Sequence, residues 1–73
     1  MPLRKLIVSH FPEGTTEQEL AELFRDYPAL VCLRPDKYAV VIFRSGRMAE
    51  KALKELNGCN WGGHWLRVKP AKW

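Results

Sequence analysis

The 73 residues hold only two cysteines, Cys32 and Cys59, enough for a single bridge, and no secretory signal pattern precedes them. A disulfide framework of the sort that staples small secreted domains is therefore excluded, and the pair reads as free thiols of a reducing, intracellular compartment. Cys32, Cys59, His10 and His64 show no paired ligand spacing such as Cys-x2-Cys, so neither a metal nor a cofactor is expected. Long apolar runs are missing as well. The longest, "YAVVIF", is strand-sized and far below the roughly 18 residues of a spanning helix, which leaves no membrane role. The chain also lacks a glycine-rich phosphate loop, a Gly-x-Ser-x-Gly elbow and a carboxylate pair set for a cleft, so it reads as a non-enzyme with no small-molecule substrate. Repeats, low-complexity tracts and linkers are absent too. A hydrophobic content of 47% over this length suffices for one small core, hence one domain spanning residues 1–73.

Charge is present and unevenly placed. Lys and Arg number 12 against 8 Asp and Glu, a net charge of +4. From residue 13 to residue 28 there are five acids and one base; the rest of the chain holds 11 bases and three acids. Such a distribution suits orientation in the field of a polyanion, although a solvated acidic helix face explains its negative part equally well.

Six segments follow one another. "RKLIVSHF" alternates Leu6 and Val8 with Ile7 and Ser9, as a strand does, and ends at Pro12 and Gly14. "TTEQELAELFRDY" offers Thr15 or Thr16 as N-cap, with Gln18 or Glu19 completing a capping box. Leu20, Leu23, Phe24 and Tyr27 then form one helical face, and Pro28 is read as the stop. "ALVCLRPDKYAVVIF" reads as two strands about a tight turn at Pro35-Asp36. With Arg34 opposite Lys37, this turn sets Leu33 across from Tyr38 and Val31 across from Val40 on one face, and sends Leu30 and Cys32 to the core face with Ala39 and Val41. A second helix runs from Ser45 as N-cap to Gly58, with Ala49, Ala52, Leu53 and Leu56 on its apolar side. In the last segment, "HWLRVKPAKW", Leu66 and Val68 point one way and Trp65, Arg67 and Lys69 the other.

The order βαββαβ is the α+β, ferredoxin-like split βαβ arrangement: a four-stranded antiparallel sheet with two helices on one face. Its other face is left to find water or a ligand. Ile7, Val31, Leu33, Val40 and Ile42, together with Tyr38 and Trp65, are the apolar patch expected there, larger than isolated exposed hydrophobes require.

From Leu6 nearly to the C-terminus these segments resemble the RNA recognition motif (RRM) family. The family's octamer, Lys/Arg-Gly-Phe/Tyr-Gly/Ala-Phe-Val-x-Phe/Tyr, aligns without a gap on "DKYAVVIF", where Tyr38, Ala39, Val41 and Phe43 match. "LIVSHF" is similar to the hexamer of the first strand, and "ELNGCNWGGHWLRVKPA" to the family's ending. The resemblance implies a module for single-stranded RNA, intracellular and nuclear rather than cytoplasmic, of the kind used in mRNA processing and splicing. Because the chain starts at the first strand and stops just after the last, it reads as a domain excised from a longer protein.

The departures from the family pattern concern the rings. Val40 occupies the fifth octamer position and Ile7 the second hexamer position, so both principal stacking aromatics are missing. Asp36 replaces the leading base, Lys37 the glycine, and His10 stands where the family usually has asparagine. Two lost stacks remove about 2–6 kcal/mol of binding. Weak or non-standard RNA binding is thus expected, with Tyr38, Trp65, Arg67 and Lys69 as primary contacts and His10, Lys5 and Lys37 as secondary ones, Trp65 lying near Ile7 or Ser9. The alternative is a protein-interaction RRM whose apolar sheet face meets a partner or a second copy. Trp61, in the loop Cys59-Asn60-Trp61, is the possible protein contact, and otherwise a ring packed over the open end of the core.

Overall fold

The capping box read from the sequence is formed by Thr16 and Glu19: the Thr16 backbone N–H donates to Glu19 Oε1 at 2.9 Å, and the Glu19 N–H donates to Thr16 Oγ1 at 3.2 Å. It opens α1, Glu17–Leu23, in the computed structural model, which describes residues 4–27 and 29–71. Pro28, read as the helix stop, and Trp73, read as a ring able to fold back over the sheet, lie outside the described residues. α1 closes at Phe24, before the end of its apolar face, and Phe24 to Asp26 form a turn. Tyr27 thereby leaves the helix and its hydroxyl donates to Glu55 of the second helix, tying the two together.

Four strands make the main sheet: β1 (Lys5–Ser9), β2 (Ala29–Arg34), β3 (Tyr38–Phe43) and, after α2 (Gly46–Leu56) and a small hairpin of β4 (Asn60–Trp61) and β5 (His64–Trp65), β6 (Arg67–Pro70). All pairings are antiparallel and the order is β2-β3-β1-β6. The ferredoxin-like architecture expected from the sequence is therefore the one found. Ser45 caps α2 by accepting from the Arg47 N–H at 3.2 Å. At the other end Asn57 Oδ1 accepts from the Val68 N–H at 3.1 Å, fastening the helix to β6.

The small hairpin departs from the sequence reading, which left residues 59–61 as loop and ran the last strand from His64. Gly62 and Gly63 both have positive φ, 60° and 83°, the backbone that a two-residue hairpin turn demands. They fold Asn60–Trp61 against His64–Trp65 as a separate ribbon. A Cβ at Gly62 would stand 3.0 Å from Pro12 Cγ, so the ribbon lies close against the β1–α1 connection.

The core lies between the sheet and the helices. Leu6, Val8, Ala39, Val41, Phe43, Leu66 and Val68 enter it from the strands and the connection before β6, Leu20, Ala49 and Ala52 from the helices, and Phe24 from the turn that closes α1. α1 packs on β2, and α2 across β6, β3 and β1. Alanines at both fully buried positions of α2 let that helix approach the sheet closely. Phe24, Tyr27 and Phe43 meet in tilted and edge-on geometries with centroids 6.0–6.3 Å apart. Such contacts add roughly 0.5–1.5 kcal/mol each beyond area burial.

The β2–β3 connection differs from the expected turn by one residue. Arg34 pairs with Tyr38, not Lys37, and the loop is Pro35, Asp36 and Lys37. Two-residue hairpin turns need a positive φ at their first position, which the proline ring forbids. The chain instead takes three residues and places the positive φ, 63°, on Lys37. A lysine held there is disfavoured by roughly 1–2 kcal/mol relative to its right-handed conformation. Lys37→Gly is expected to stabilise the fold by about 0.5–1 kcal/mol after glycine's greater unfolded-state freedom is subtracted, read from the urea midpoint.

Tyr27 supplies a second expectation. Its hydrogen bond to Glu55, followed by burial and by the charges of Glu55 and Asp26, pushes its pKa from 10.0 up to about 12. The folded chain thus holds this proton more tightly than the unfolded chain, and the resulting stability is complete below the unfolded value of 10.0 and lost as pH rises through about 12. Between pH ~9.5 and ~11.5 the urea midpoint of the parent chain should fall further than that of Tyr27→Phe.

Candidate nucleic-acid interface

A one-residue change of register turns every side chain of a strand to the opposite face, and β2 carries that consequence into the site. Val31, 8% exposed, lies opposite Val41 in the core, and Leu33 opposite Ala39, packed against it. Their expected place on the open face is corrected. Leu30, Cys32 and Arg34 occupy that face instead, Leu30 with 63% of its surface exposed. Cys32, expected in the core, is half-buried on the outer side.

The open face is then a grid of three rows running across the strands from β2 to β6. The first row reads Arg34, Tyr38, Ser9, Arg67; the second Cys32, Val40, Ile7, Lys69; the third Leu30, Ile42, Lys5. Adjacent members of a row are direct cross-strand neighbours, with Cβ atoms about 4.5–5.5 Å apart. One ring, Tyr38, is flanked in its own row by an arginine on one side and by Ser9 and a second arginine on the other. Lys69 extends the positive edge along β6. Lys5 stands two rows away, about 13 Å from the Tyr38 row at the strand rise. The apolar members, Leu30, Ile42, Val40, Cys32 and Ile7, gather at the other side of the grid.

The remaining expected residues divide. Trp65 is 68% exposed and flanks buried Leu66 together with Arg67, so it emerges away from the core. The direct partners of Ile7 and Ser9 are Lys69 and Arg67, while Trp65, two residues before Arg67, pairs with Asn60 in the small hairpin. His10 directly follows β1, exposed, with φ of 68°, a left-handed backbone that asparagine tolerates well. Lys37 is exposed in the β2–β3 turn. Trp61 is half-buried and packs against the core cluster on the helix side, lining grooves with Glu19, Glu22 and Leu23 of α1.

The distribution of aromatic rings explains the sparse platform. Phe24, Tyr27 and Phe43 are packed together and Phe11 and Trp61 lean on the core, so among the described residues Tyr38 and Trp65 are the rings turned outward. Sequence reasoning found both. It missed Leu30 and Cys32 on the face, and the proline that rules out a two-residue turn was the signal available for both. No group of three or more His, Cys, Asp or Glu side chains placed to hold a metal occurs among the described residues.

The main sheet is thus covered on one side by two helices and carries on the other a half-buried tyrosine set among cations. The RNA recognition motif family model matches residues 6–67, and the chain belongs to that family. It is a binding module, not an enzyme. Serine/arginine-rich splicing factor SR34B of Arabidopsis thaliana is 34% identical over 93% of the chain, which spans 27% of that protein. RNA recognition domains 1 and 2 of Sex-lethal from Drosophila melanogaster superpose with a TM-score of 0.82 at 31% identity, over 94% of this chain and 50% of that one. The Rna15 RRM superposes at 0.85 with 22% identity, over 99% and 93%, a likeness of fold.

The corrected register has a direct check. Val31→Ser should cost about 2 kcal/mol or more by emptying and polarising a core position, whereas Leu30→Ser should stay within about 0.5 kcal/mol, both read by urea denaturation. The reverse ranking would restore the shorter turn.

Proposed function

We propose that this domain binds single-stranded RNA on its open sheet face, by one ring and a line of cations in place of a multi-ring base-reading platform. The observation that carries the reading is the first row of the grid, in which Tyr38 stands between Arg34 and the Ser9–Arg67 pair. A base can lie on the Tyr38 ring while the arginines and Lys69 meet the phosphates on either side. Trp65, beyond the row, is a second platform for a strand that continues past β1, with His10 and Lys37 beside its path and Lys5 at the far side of the sheet. Family membership supports this reading, as does likeness to Sex-lethal, which is also described as a protein/RNA complex at 30% identity and a TM-score of 0.83, over 96% of this chain and 47% of that one. Resemblance to a splicing factor supports a nuclear role in mRNA processing, as one domain of a longer protein.

One stack is worth about 1–3 kcal/mol, or roughly 5- to 150-fold in affinity, so binding by the isolated domain is weak and strongly dependent on salt. A second reading draws on the 63% exposure of Leu30 beside Ile42, Val40 and Cys32: this apolar corner suits a protein partner or a second copy.

Titration of a mixed-sequence short RNA pool at two salt concentrations decides between them. Tyr38→Ala should weaken binding by about 5-fold or more at both salts, and Arg67→Ala should lower the log–log salt slope by about 0.7. Binding unaltered in both variants overturns the RNA reading of this face. Concentration-dependent sedimentation with no response to RNA supports the apolar corner instead.

A further inference from the structure

β2 is an outer strand of the main sheet, with β3 on one side and no strand on the other. The backbone groups on its open side can be named. Phe43 donates its N–H to the Arg4 carbonyl at 2.7 Å, away from β2, so its cross-strand partner Ala29 turns its own N–H and C=O to the open side. Alternation along the strand gives Val31 and Leu33 the same direction. The Leu33 N–H is engaged, donating to the Glu17 carboxylate at 2.9 Å. The outward groups of Ala29 and Val31 have no hydrogen-bond partner among the described residues. One turn after Glu17, on the same face of α1, stands exposed Ala21, whose methyl is too short to cover a second donor. Between Ala29 and Val31, Leu30 is 63% exposed on the open face of the sheet, beside Ile42. From Ala29 to Leu33 the strand, "ALVCL", carries no charge.

We propose that this edge pairs with the same edge of a second copy, antiparallel about a two-fold axis at Leu30, so that two sheets join into one. The inference rests on the second reading of the apolar corner and deepens it, and the Tyr38 row stays uncovered. In this register Ala29 of each copy lies opposite Val31 of the other and exchanges both backbone bonds with it. Leu30 then meets Leu30 of the second copy at the close, non-hydrogen-bonded position, with Cα atoms about 4.5 Å apart. Glu17 selects the register. The neighbouring one, centred on Val31, would set Ala29 against Leu33 of the second copy and need the Leu33 N–H that the carboxylate already holds. A second copy is the occupant that fits because the edge is its own complement. Ala29 and Val31 offer each other matching groups, and one exposed leucine covers the other without bringing like charges together. The paired segment is short, which puts the contact at the small end of specific interfaces and makes the dimer weak.

Sedimentation velocity at rising protein concentration tests the association, and two further measurements test the edge. The parent chain is expected to pass from monomer to dimer. Leu30→Lys, an exposed change that sets two ammonium groups face to face, should weaken the dimer by about 10-fold or more. The Val31 amide should exchange more slowly with solvent as concentration rises, and the Leu33 amide, already bonded to Glu17, at an unchanged rate. In a Cys32→Ser, Cys59→Ala background, Leu30→Cys should form a covalent dimer under mild oxidation, because the axis brings its Cα pair within disulfide reach. Glu50→Cys, at an exposed position of α2, should stay monomeric under the same oxidation. Association with an unchanged Val31 amide and no covalent dimer of Leu30→Cys overturns the paired edge and leaves the apolar corner as the contact. A parent chain that stays monomeric at every concentration overturns both the edge and the second-copy form of that reading, and leaves the RNA reading untouched.

Discussion

A proline cannot adopt a positive φ, and the composition of the open face follows from that restriction at Pro35. The two-residue turn is closed to it, the loop lengthens to three residues, and Lys37 takes the left-handed backbone that β3 needs in order to start in register. Because side chains alternate strictly along a strand, this single residue decides whether Val31 or Leu30 is buried and whether Arg34 stands beside Tyr38. The stability of the core and the chemistry of the surface are therefore set by the same turn. They cannot be tuned independently by inserting or deleting residues there.

The core also explains why the surface is poor in rings. A domain of this size has few large side chains with which to fill the space between one sheet and two short helices. Phe24, Tyr27 and Phe43 close one side of that space, while Phe11 and Trp61 seal its margins near the β1–α1 connection. On the open face, β-branched residues maintain the sheet where relatives of the family present aromatics. What remains for recognition is one tyrosine, the tryptophan of the small hairpin and a set of cations whose spacing the register fixes. On the RNA reading proposed above, such a surface would hold a polyanion mainly by charge and discriminate little among bases.

Much of this was legible in the sequence because it depends on local rules. The Thr16–Glu19 box, the Ser45 cap and the alternation of β1, β3 and β6 follow from spacing alone, and those three strands display the residues expected of them. β2 failed because its residues, Leu30 to Leu33, are apolar on both sides, so no periodicity marked the buried face and the register rested on the turn. The pairing of Trp65 in a separate ribbon went unread because two consecutive glycines build a hairpin that hydrophobic pattern does not report. The Leu33–Glu17 and Asn57–Val68 contacts join segments 16 and 11 residues apart, beyond the reach of neighbour rules.

Glu17 occupies an unusual position in this economy. It sits in the first turn of α1, where the helix dipole favours an acid, and its carboxylate also covers a backbone N–H on the outer edge of β2. That edge is the side on which another extended chain could add itself to the sheet. One side chain thus serves both as a helix starter and as the cover of an edge donor, so the beginning of α1 and the rim of the sheet are held by the same carboxylate.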